Sequence, residues 1–231
     1  MAEVIGTALV IIFGNGVVAN TLLKGSKGQN GGWIVITLGW GMAVFIGVYA
    51  SADASGAHLN PAVSLALATL GKFDWATVPG YVIAQFVGAA IGQLFVWVMY
   101  RQHFDATEDP GLQRACFCNE PAIRHLPSNL ITETLATFVF VLAILFIQGP
   151  DAGLGSLKAL PVALLVLAMG LSLGGPTGYA INPVRDLMPR IMHAILPIKG
   201  KGSSDWAYAW VPVLGPALGG ILAALVYPML S

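Results

Sequence analysis

The chain contains two boxes in which an asparagine precedes a proline within apolar surroundings, Asn60-Pro61-Ala62 in the first half and Asn182-Pro183-Val184 in the second. Asparagine is a favoured N-cap and proline fits the first helical position, so each box predicts the start of a helix. The mostly apolar residues that follow, about 61–70 and 183–196, allow roughly 15–20 Å of helix, about half of a bilayer crossing. Backbone that starts a helix at membrane depth is tolerated only where it is buried in protein or lines a wet cavity. The duplicated box therefore predicts a pore.

Composition places the chain among polytopic membrane proteins. Of its 231 residues, 56% are hydrophobic and 10% charged, and the mean hydropathy is +0.76. Soluble domains of this size carry far more charge. The formal net charge of zero argues against a nucleic-acid partner. The first apolar run lacks the basic leader of a cleavable signal peptide. The apolar stretches predict six spans, at 2–22, 33–51, 77–100, 130–148, 159–173 and 206–229.

Residue patterns for catalysis or metal binding are not found in the sequence. Cys116 and Cys118 are too close together for an easy intrachain disulfide and too few for a zinc site, so we expect free thiols in a loop. The histidines lack metal-ligand spacing, and no nucleophile–base pair or phosphate loop is present. The sequence predicts no cofactor, no metal and no enzymatic activity.

A polar connection at 104–128 divides the chain into halves at 1–103 and 129–231, each with the order span, span, half-length helix, span. The two halves open alike, with Glu3 in AEVIGT and Glu133 in TETLAT. An odd number of spans in each half reverses the orientation of the second half, so we expect an inverted repeat. One box then enters from each side of the membrane, and both meet near the midplane of a single channel domain, 1–231.

The residues around the boxes, SGAHLNPAV at 55–63 and TGYAINPVRD at 177–186, resemble the two signature loops of the aquaporin (major intrinsic protein) family. Asp186, directly after Arg185, resembles the glycerol-facilitator branch, the aquaglyceroporins. The resemblance covers essentially the whole chain. It implies an all-α membrane protein with six transmembrane helices and two re-entrant half-helices. It also implies a homotetramer with one pore per protomer, in the cell membrane and, for a bacterium, the inner membrane.

The resemblance places Trp40, Gly170, Tyr179 and Arg185 at the narrowest point of the pore, the selectivity filter. Trp40 and Tyr179 would form an apolar corner for the carbon backbone of a polyol, while Arg185 donates hydrogen bonds to its hydroxyl groups. Gly170 leaves the filter wide where a water-selective channel typically carries histidine. Glycerol facilitators usually carry phenylalanine where Tyr179 stands, so the extra hydroxyl leaves the relative rates of water and glycerol open.

Two carboxylates, Glu3 and Glu133, lie in apolar spans, where an ionised group is costly unless it is paired. One interpretation is proton coupling, as in a secondary transporter. The other, favoured by their matching positions and by the resemblance, is that each accepts hydrogen bonds from the backbone N–H groups of a re-entrant loop. We assign a similar bracing role to His58 in the first loop and to Asp186, for which Arg190 is a candidate partner.

The sequence thus predicts a passive channel for glycerol and other small neutral solutes that also conducts water. The positive ends of the half-helices and the charge of Arg185 would exclude protons and ions, and Asn60 and Asn182 would each donate an N–H to the passing oxygen. A channel mainly for water and a proton-coupled transporter stay open as alternatives. Val184 and Met188 depart from the family pattern and leave the local packing open. The expected partners are the solutes, the lipid bilayer and further copies of the chain.

Overall fold

The computed structural model describes residues 1–147 and 157–231, and within these two ranges the regular structure is helical. The α-helices, in chain order, are α1 (Ala2–Leu22), α2 (Trp33–Ser55), α3 (Pro61–Thr69), α4 (Val78–Met99), α5 (Arg101–Ala106), α6 (Pro110–Ala115), α7 (Leu126–Ile147), α8 (Leu160–Ser172), α9 (Pro183–Ile195) and α10 (Val211–Val226). A 3₁₀ turn at Tyr227–Met229 follows α10.

The helices α1, α2, α4 and α7 are long and apolar enough to cross a bilayer, and so is α10 together with the 3₁₀ turn that follows it (Val211–Met229). α8 is apolar but has 13 residues, and the predicted end of the fourth span at Gln148 lies outside the described residues. The last helix begins at Val211 and not at 206 as predicted. The Tyr208 N–H donates to the Asp205 carbonyl oxygen at 3.1 Å, so residues 206–210 form turns that precede the helix.

Glycines let the helices of each half approach closely. A Cβ on Gly88 of α4 would collide with the Val4 carbonyl oxygen of α1, and one on Gly219 of α10 with the Thr134 carbonyl oxygen of α7. Only glycine leaves this space free, so α4 packs on α1 and α10 on α7 with their backbones nearly in contact. The same kind of contact therefore joins the first and last spans of each half.

The polarity of the molecule is that of a protein surrounded by lipid. Large apolar side chains face outward along the long helices, with Ile34 71% and Ile83 65% exposed. Polar side chains such as Gln85, Gln93 and Glu133 are fully buried. Lipid accepts the apolar exterior, whereas polar groups must find partners inside the protein. The polar interior is where the loops and the half-helices lie.

The connection between the halves packs against the helices. Cys116 and Cys118 are free thiols, and both are buried together with Phe117 between them. Asn15 of α1 donates to the Phe117 carbonyl oxygen at 3.3 Å, and Gln93 of α4 donates to the Cys116 carbonyl oxygen at 3.4 Å. Burial raises the pKa of each thiol far above the ordinary value for cysteine, because a thiolate at the buried site would lose its hydration. The composition of 104–128 indicated a polar loop, and these contacts explain why part of it is buried.

Candidate functional site

Each box caps the N-terminus of a half-length helix. Asn60 is the N-cap of α3 and Asn182 that of α9, each followed by proline. The Asn60 side-chain oxygen accepts a hydrogen bond from the Ala62 N–H at 2.9 Å, and that of Asn182 accepts from the Val184 and Arg185 N–H groups at 3.2 and 3.3 Å. These N–H groups have no partner inside the helix, so the asparagines satisfy them.

The side-chain amides of the two boxes join the half-helices. Asn60 Nδ2 donates to the Ile181 carbonyl oxygen at 2.8 Å, and Asn182 Nδ2 donates to the Leu59 carbonyl oxygen at 2.9 Å. α3 and α9 therefore meet N-terminus to N-terminus. Each amide nitrogen carries two hydrogens. Within 1–147 and 157–231 each uses one, which leaves one N–H per asparagine for another oxygen.

The loops before the boxes contain residues in the left-handed region of backbone space. Ala57 and Leu59 have φ of 49° and 50°, and Tyr179 and Ile181 both have φ of 42°. For a non-glycine residue this conformation costs about 1–2 kcal/mol. The two loops share this strain at matching positions, three residues and one residue before the asparagine. Such loops persist only where the surrounding structure holds them.

A buried carboxylate holds each loop. The two oxygens of Glu3 accept hydrogen bonds from the N–H groups of His58 and Leu59 at 3.0 and 2.8 Å. The two oxygens of Glu133 accept from the N–H groups of residues 180–181, both at 3.0 Å. Glu3 is 3% exposed and Glu133 is fully buried. Both carboxylates thus accept hydrogen bonds from two backbone donors of a strained loop.

The His58 side chain connects the first loop to α3 and to its surroundings. Its Nδ1 lies 2.9 Å from Ser64 Oγ, and its ring centroid lies 4.6 Å from that of Phe73 and 4.8 Å from that of Tyr81. The ring also lines a cavity. These contacts fix its orientation at the mouth of that cavity.

Asp186 and Arg190 form a fully buried ion pair on α9. Arg190 Nε lies 2.9 Å from Asp186 Oδ1, and Nη2 lies 3.1 Å from Oδ2. Asp186 also accepts from the Asn119 N–H at 2.6 Å, and Arg190 donates to the Ser204 carbonyl oxygen at 2.7 Å. A buried ion pair needs such additional hydrogen bonds to offset its desolvation. The pair ties α9 to the connection between the halves and to the segment after α9, and neither residue lines one of the cavities described below.

Trp40, Tyr179, Arg185 and Gly170 lie together. The Arg185 guanidinium lies 4.2 Å from the centroid of the Trp40 ring, in the geometry of a cation–π contact. A Cβ on Gly170 would lie 2.9 Å from the Tyr179 hydroxyl, so the phenol extends into the space that the glycine leaves. Trp40, Tyr179 and Arg185 are all buried.

Three polar atoms of this group have no hydrogen-bond partner in the described part of the chain. They are Trp40 Nε1, Tyr179 Oη and Arg185 Nη1. Buried polar groups are normally paired, and an exception calls for an explanation. Here the three residues that carry these atoms line one cavity.

Three cavities follow one another through the interior. The first, of about 140 Å³, and the second, of about 50 Å³, share Trp40, Tyr179 and Arg185. The second and the third, of about 100 Å³, share Asn60 and Asn182. The cavities thus form a series that passes Trp40, Tyr179 and Arg185 and then the two boxes. The second and third cavities also share an apolar wall of Val10, Val44 and Phe140.

Known proteins resemble the chain along its whole length. A family model described as Major intrinsic protein matches residues 1–227. The chain belongs to the major intrinsic protein family. The probable glycerol uptake facilitator protein of Thermotoga maritima is 53% identical over 227 residues, which cover 98% of this chain and 97% of that protein. Glycerol uptake facilitator protein 3 of Lactiplantibacillus plantarum is 52% identical over 231 residues, which cover 100% and 95%. The X-ray structure of the aquaglyceroporin from Plasmodium falciparum aligns with a TM-score of 0.86 at 33% identity, covering 98% of this chain and 93% of that one.

Membership of the major intrinsic protein family confirms the resemblance drawn from the two loops, and the solved aquaglyceroporin confirms the all-α, aquaporin-like fold class. The chain is a multi-pass membrane protein. Because the family consists of channels and facilitators, it is not an enzyme.

Several cavity-lining residues of this family member could not be singled out from its sequence. Val10, Val44 and Phe140 lie in helices that are apolar all round, so no periodicity separates the face towards the cavity from the face towards lipid. Trp33 also lines the first cavity, although it reads as the ordinary first residue of a span. Their role requires the three-dimensional arrangement.

The two departures from the family pattern lie in packing regions. Val184 is fully buried and lines none of the three cavities. Met188 packs at the edge of the hydrophobic core. In the first box, a Cβ on Gly220 of α10 would lie 2.6 Å from the Ala62 carbonyl oxygen, so α10 packs directly on the start of α3. The added bulk of Val184 and Met188 therefore lies in packed regions around α9, and neither side chain lines one of the three cavities.

Proposed function

We propose that the chain is a passive channel for glycerol and other small neutral solutes, with permeability to water. One observation carries the proposal: the buried Arg185 guanidinium lies over the Trp40 ring with a donor that no described protein group uses. A polyol has CH groups along one edge and OH groups along the other. The ring faces of Trp40 and Tyr179 suit the first edge, and the unpaired Arg185 donor suits the second. Relatives across the whole length are named glycerol uptake facilitators.

A channel mainly for water is the second candidate. The Tyr179 hydroxyl favours it, because it occupies the space beside Gly170 that a phenylalanine would leave empty. A narrower filter would slow glycerol more than water. The presence of Trp40 and the absence of a histidine at position 170 favour the wider, polyol-conducting filter.

We infer that protons and ions are excluded by the same elements. The N-termini of α3 and α9 meet where Asn60 and Asn182 lie, and helix N-termini carry a partial positive charge. Arg185 adds a full positive charge beside them. A cation would meet this field, whereas a neutral solute would not. The free N–H of each asparagine would orient a passing water oxygen and interrupt a proton wire.

The assembly that we propose is a homotetramer of complete channels in the inner membrane of a bacterium. Three cavities in series lie within a single chain, which supports one pore per protomer. The matched loops, half-helices and buried carboxylates support two inverted repeats, 1–103 and 129–231, in one channel domain. Chemical cross-linking in liposomes checks the tetramer: bands up to four chains are expected, and a ladder that stops at one or two chains contradicts it.

Stopped-flow light scattering of proteoliposomes tests the function. Water efflux and glycerol entry are measured on the same preparation, with empty liposomes as the control. Glycerol entry well above the empty-liposome rate, without a pH gradient, is the expected result. Fast water flux together with glycerol entry at the empty-liposome rate would contradict the proposal and would support a channel mainly for water.

A further inference from the structure

Trp33 links α2, α8 and the second loop beside the filter. It is the first residue of α2, and its ring meets that of Tyr179 edge to face, with centroids 5.9 Å apart and planes at 82°. Its Nε1 donates to the Gly170 carbonyl oxygen at 2.9 Å. Carbonyl groups in the last turn of a helix have no partner inside the helix. Trp33 therefore provides a hydrogen-bond donor for the carbonyl oxygen of Gly170, near the end of α8, and Gly170 is also the residue beside the Tyr179 hydroxyl.

The Tyr179 ring has no other directional contact to hold it. Its hydroxyl has no hydrogen-bond partner among residues 1–147 and 157–231, and its backbone is in the left-handed region, with φ of 42°. Packing sets its orientation instead. A Cβ on Gly174 would lie 2.5 Å from Tyr179 Cδ1 and 2.8 Å from Trp33 Cζ2, which shows how closely the two rings and the end of α8 converge.

We propose that Trp33 is a positioning residue for solute selection, which holds the Tyr179 ring against Gly170 and so fixes the width of the filter. This inference rests on the function proposed above. Trp33 lies at the wall of the first cavity, next to the filter. Without its indole, the Tyr179 ring moves into the vacated space. The opening between Trp40, Tyr179 and Arg185 then widens, and the channel discriminates less well between polyols of different size.

The test compares the permeabilities of glycerol and erythritol, a polyol with one more carbon, in proteoliposomes. For Trp33→Leu, the ratio of glycerol permeability to erythritol permeability is expected to fall about 2- to 10-fold. This is the fold-change that corresponds to the loss of one edge-to-face aromatic contact. For Trp33→Phe, which retains an aromatic ring but lacks the indole N–H, the ratio stays within about twofold of the parent. Trp210→Leu is the matched control, because Trp210 is exposed to the same extent as Trp33, 41%, and lines none of the three cavities.

A second pair of variants shows whether Trp33 acts through Tyr179. In a Tyr179→Leu background, Trp33→Leu is expected to change the ratio no further, because residues that act as a unit are not additive. An unchanged ratio in the single Trp33→Leu variant overturns the proposal. A decrease of the ratio in Trp33→Phe as large as that in Trp33→Leu also overturns it. So does a further decrease of the same size when Trp33→Leu is added to Tyr179→Leu.

Failure of this inference differs from failure of the proposed function. If the parent protein conducts no glycerol, the function is wrong whatever Trp33 does. If the parent conducts glycerol and Trp33→Leu keeps the parent ratio, only the role of Trp33 is wrong. Water permeability per reconstituted protein, measured on the same vesicles, shows that each variant is folded and inserted.

Discussion

At the residue scale, Arg185 shows how the proposed filter combines charge with apolar contact. A buried cation without partners is costly. Its position 4.2 Å over the Trp40 ring offsets part of this cost, since a desolvated cation–π contact contributes about 2 kcal/mol. The Nη1 atom has no partner in the chain as described. The Trp40 ring thus contacts one face of the guanidinium, and in the proposed filter the edge of the guanidinium would donate to a solute.

Tyr179→Phe is expected to preserve the glycerol flux or to raise it. The hydroxyl makes no hydrogen bond within the described residues and takes up space beside Gly170, so its removal widens the filter without loss of a protein contact. Stopped-flow glycerol entry measures the effect. Tyr208→Phe is the matched control, because its hydroxyl is also buried and unpaired but lies away from the cavities. A roughly tenfold lower glycerol flux in Tyr179→Phe alone would instead mean that the hydroxyl binds the solute, a loss of about 1.4 kcal/mol.

Gly170→His is expected to suppress glycerol flux more than water flux. Even the Cβ would lie 2.6 Å from Thr37 Cγ2 and 2.9 Å from the Tyr179 hydroxyl, so the phenol must move and the imidazole adds bulk to the filter. Water and glycerol rates are compared on one preparation. Gly175→His serves as the control, since a Cβ on Gly175 has nothing within 4 Å. Equal losses of both fluxes in Gly170→His would contradict the filter assignment.

At the element scale, the two strained loops depend on their carboxylates. Glu133→Gln replaces one acceptor oxygen by an N–H₂ group, which faces the N–H of residue 180 or 181. Leaving a buried donor without a partner costs about 1–3 kcal/mol. We expect a lower melting temperature of the detergent-solubilised protein and less folded protein, while glycerol flux per folded channel is maintained.

Glu108→Gln, at an exposed position, provides the baseline for that comparison. Glu3→Gln is expected to resemble Glu133→Gln, because Glu3 binds the first loop in the same way. If Glu133→Gln abolished transport without any change in melting temperature, the carboxylate would belong to the transport mechanism and the proton-coupled alternative would gain.

The sequence predicts those elements that local rules determine. The starts of α3 and α9 follow from Asn-Pro capping, and α1 follows from hydropathy over its full length. The end of α2 extends past the predicted 51 to Ser55, where Gly56 adopts φ of 77° and ends the helix. The burial of Cys116 and Cys118 could not be predicted, because it depends on Asn15 and Gln93, which are distant in sequence.

Some residues of the candidate site could be predicted from the sequence and others could not. The boxes stand out by their own residues, whereas Trp40 and Gly170 were placed only through the family resemblance, since neither has a local signal within its span. Trp33 had no signal at all, because its contacts with Gly170 and Tyr179 join three separate elements. The sequence of a single chain does not show which residues of different helices and loops lie close together.

At the scale of the whole molecule, the positions of the buried carboxylates distinguish a passive channel from a proton-coupled transporter. The buried carboxylates of Glu3 and Glu133 each have both oxygens engaged by backbone donors, and Asp186 is paired with Arg190. None of these three carboxylates lines any of the three cavities, and Glu120, which lines the first, is ion-paired with Arg114. A transporter that couples solute to protons needs a carboxylate that exchanges its proton along the route. The arrangement favours a passive channel.

Glycerol should therefore equilibrate across the membrane and never accumulate. In proteoliposomes with labelled glycerol, we expect the final inside concentration to equal the outside one, with or without an imposed pH gradient. Influx and efflux at equal and opposite gradients should have the same initial rate, because a neutral solute in a channel without coupling feels only its own gradient. A protonophore added to the same vesicles is the control and should change neither quantity. Accumulation above the external concentration that the protonophore abolishes would show that the buried carboxylates couple transport to protons, and the passive channel would have to be abandoned.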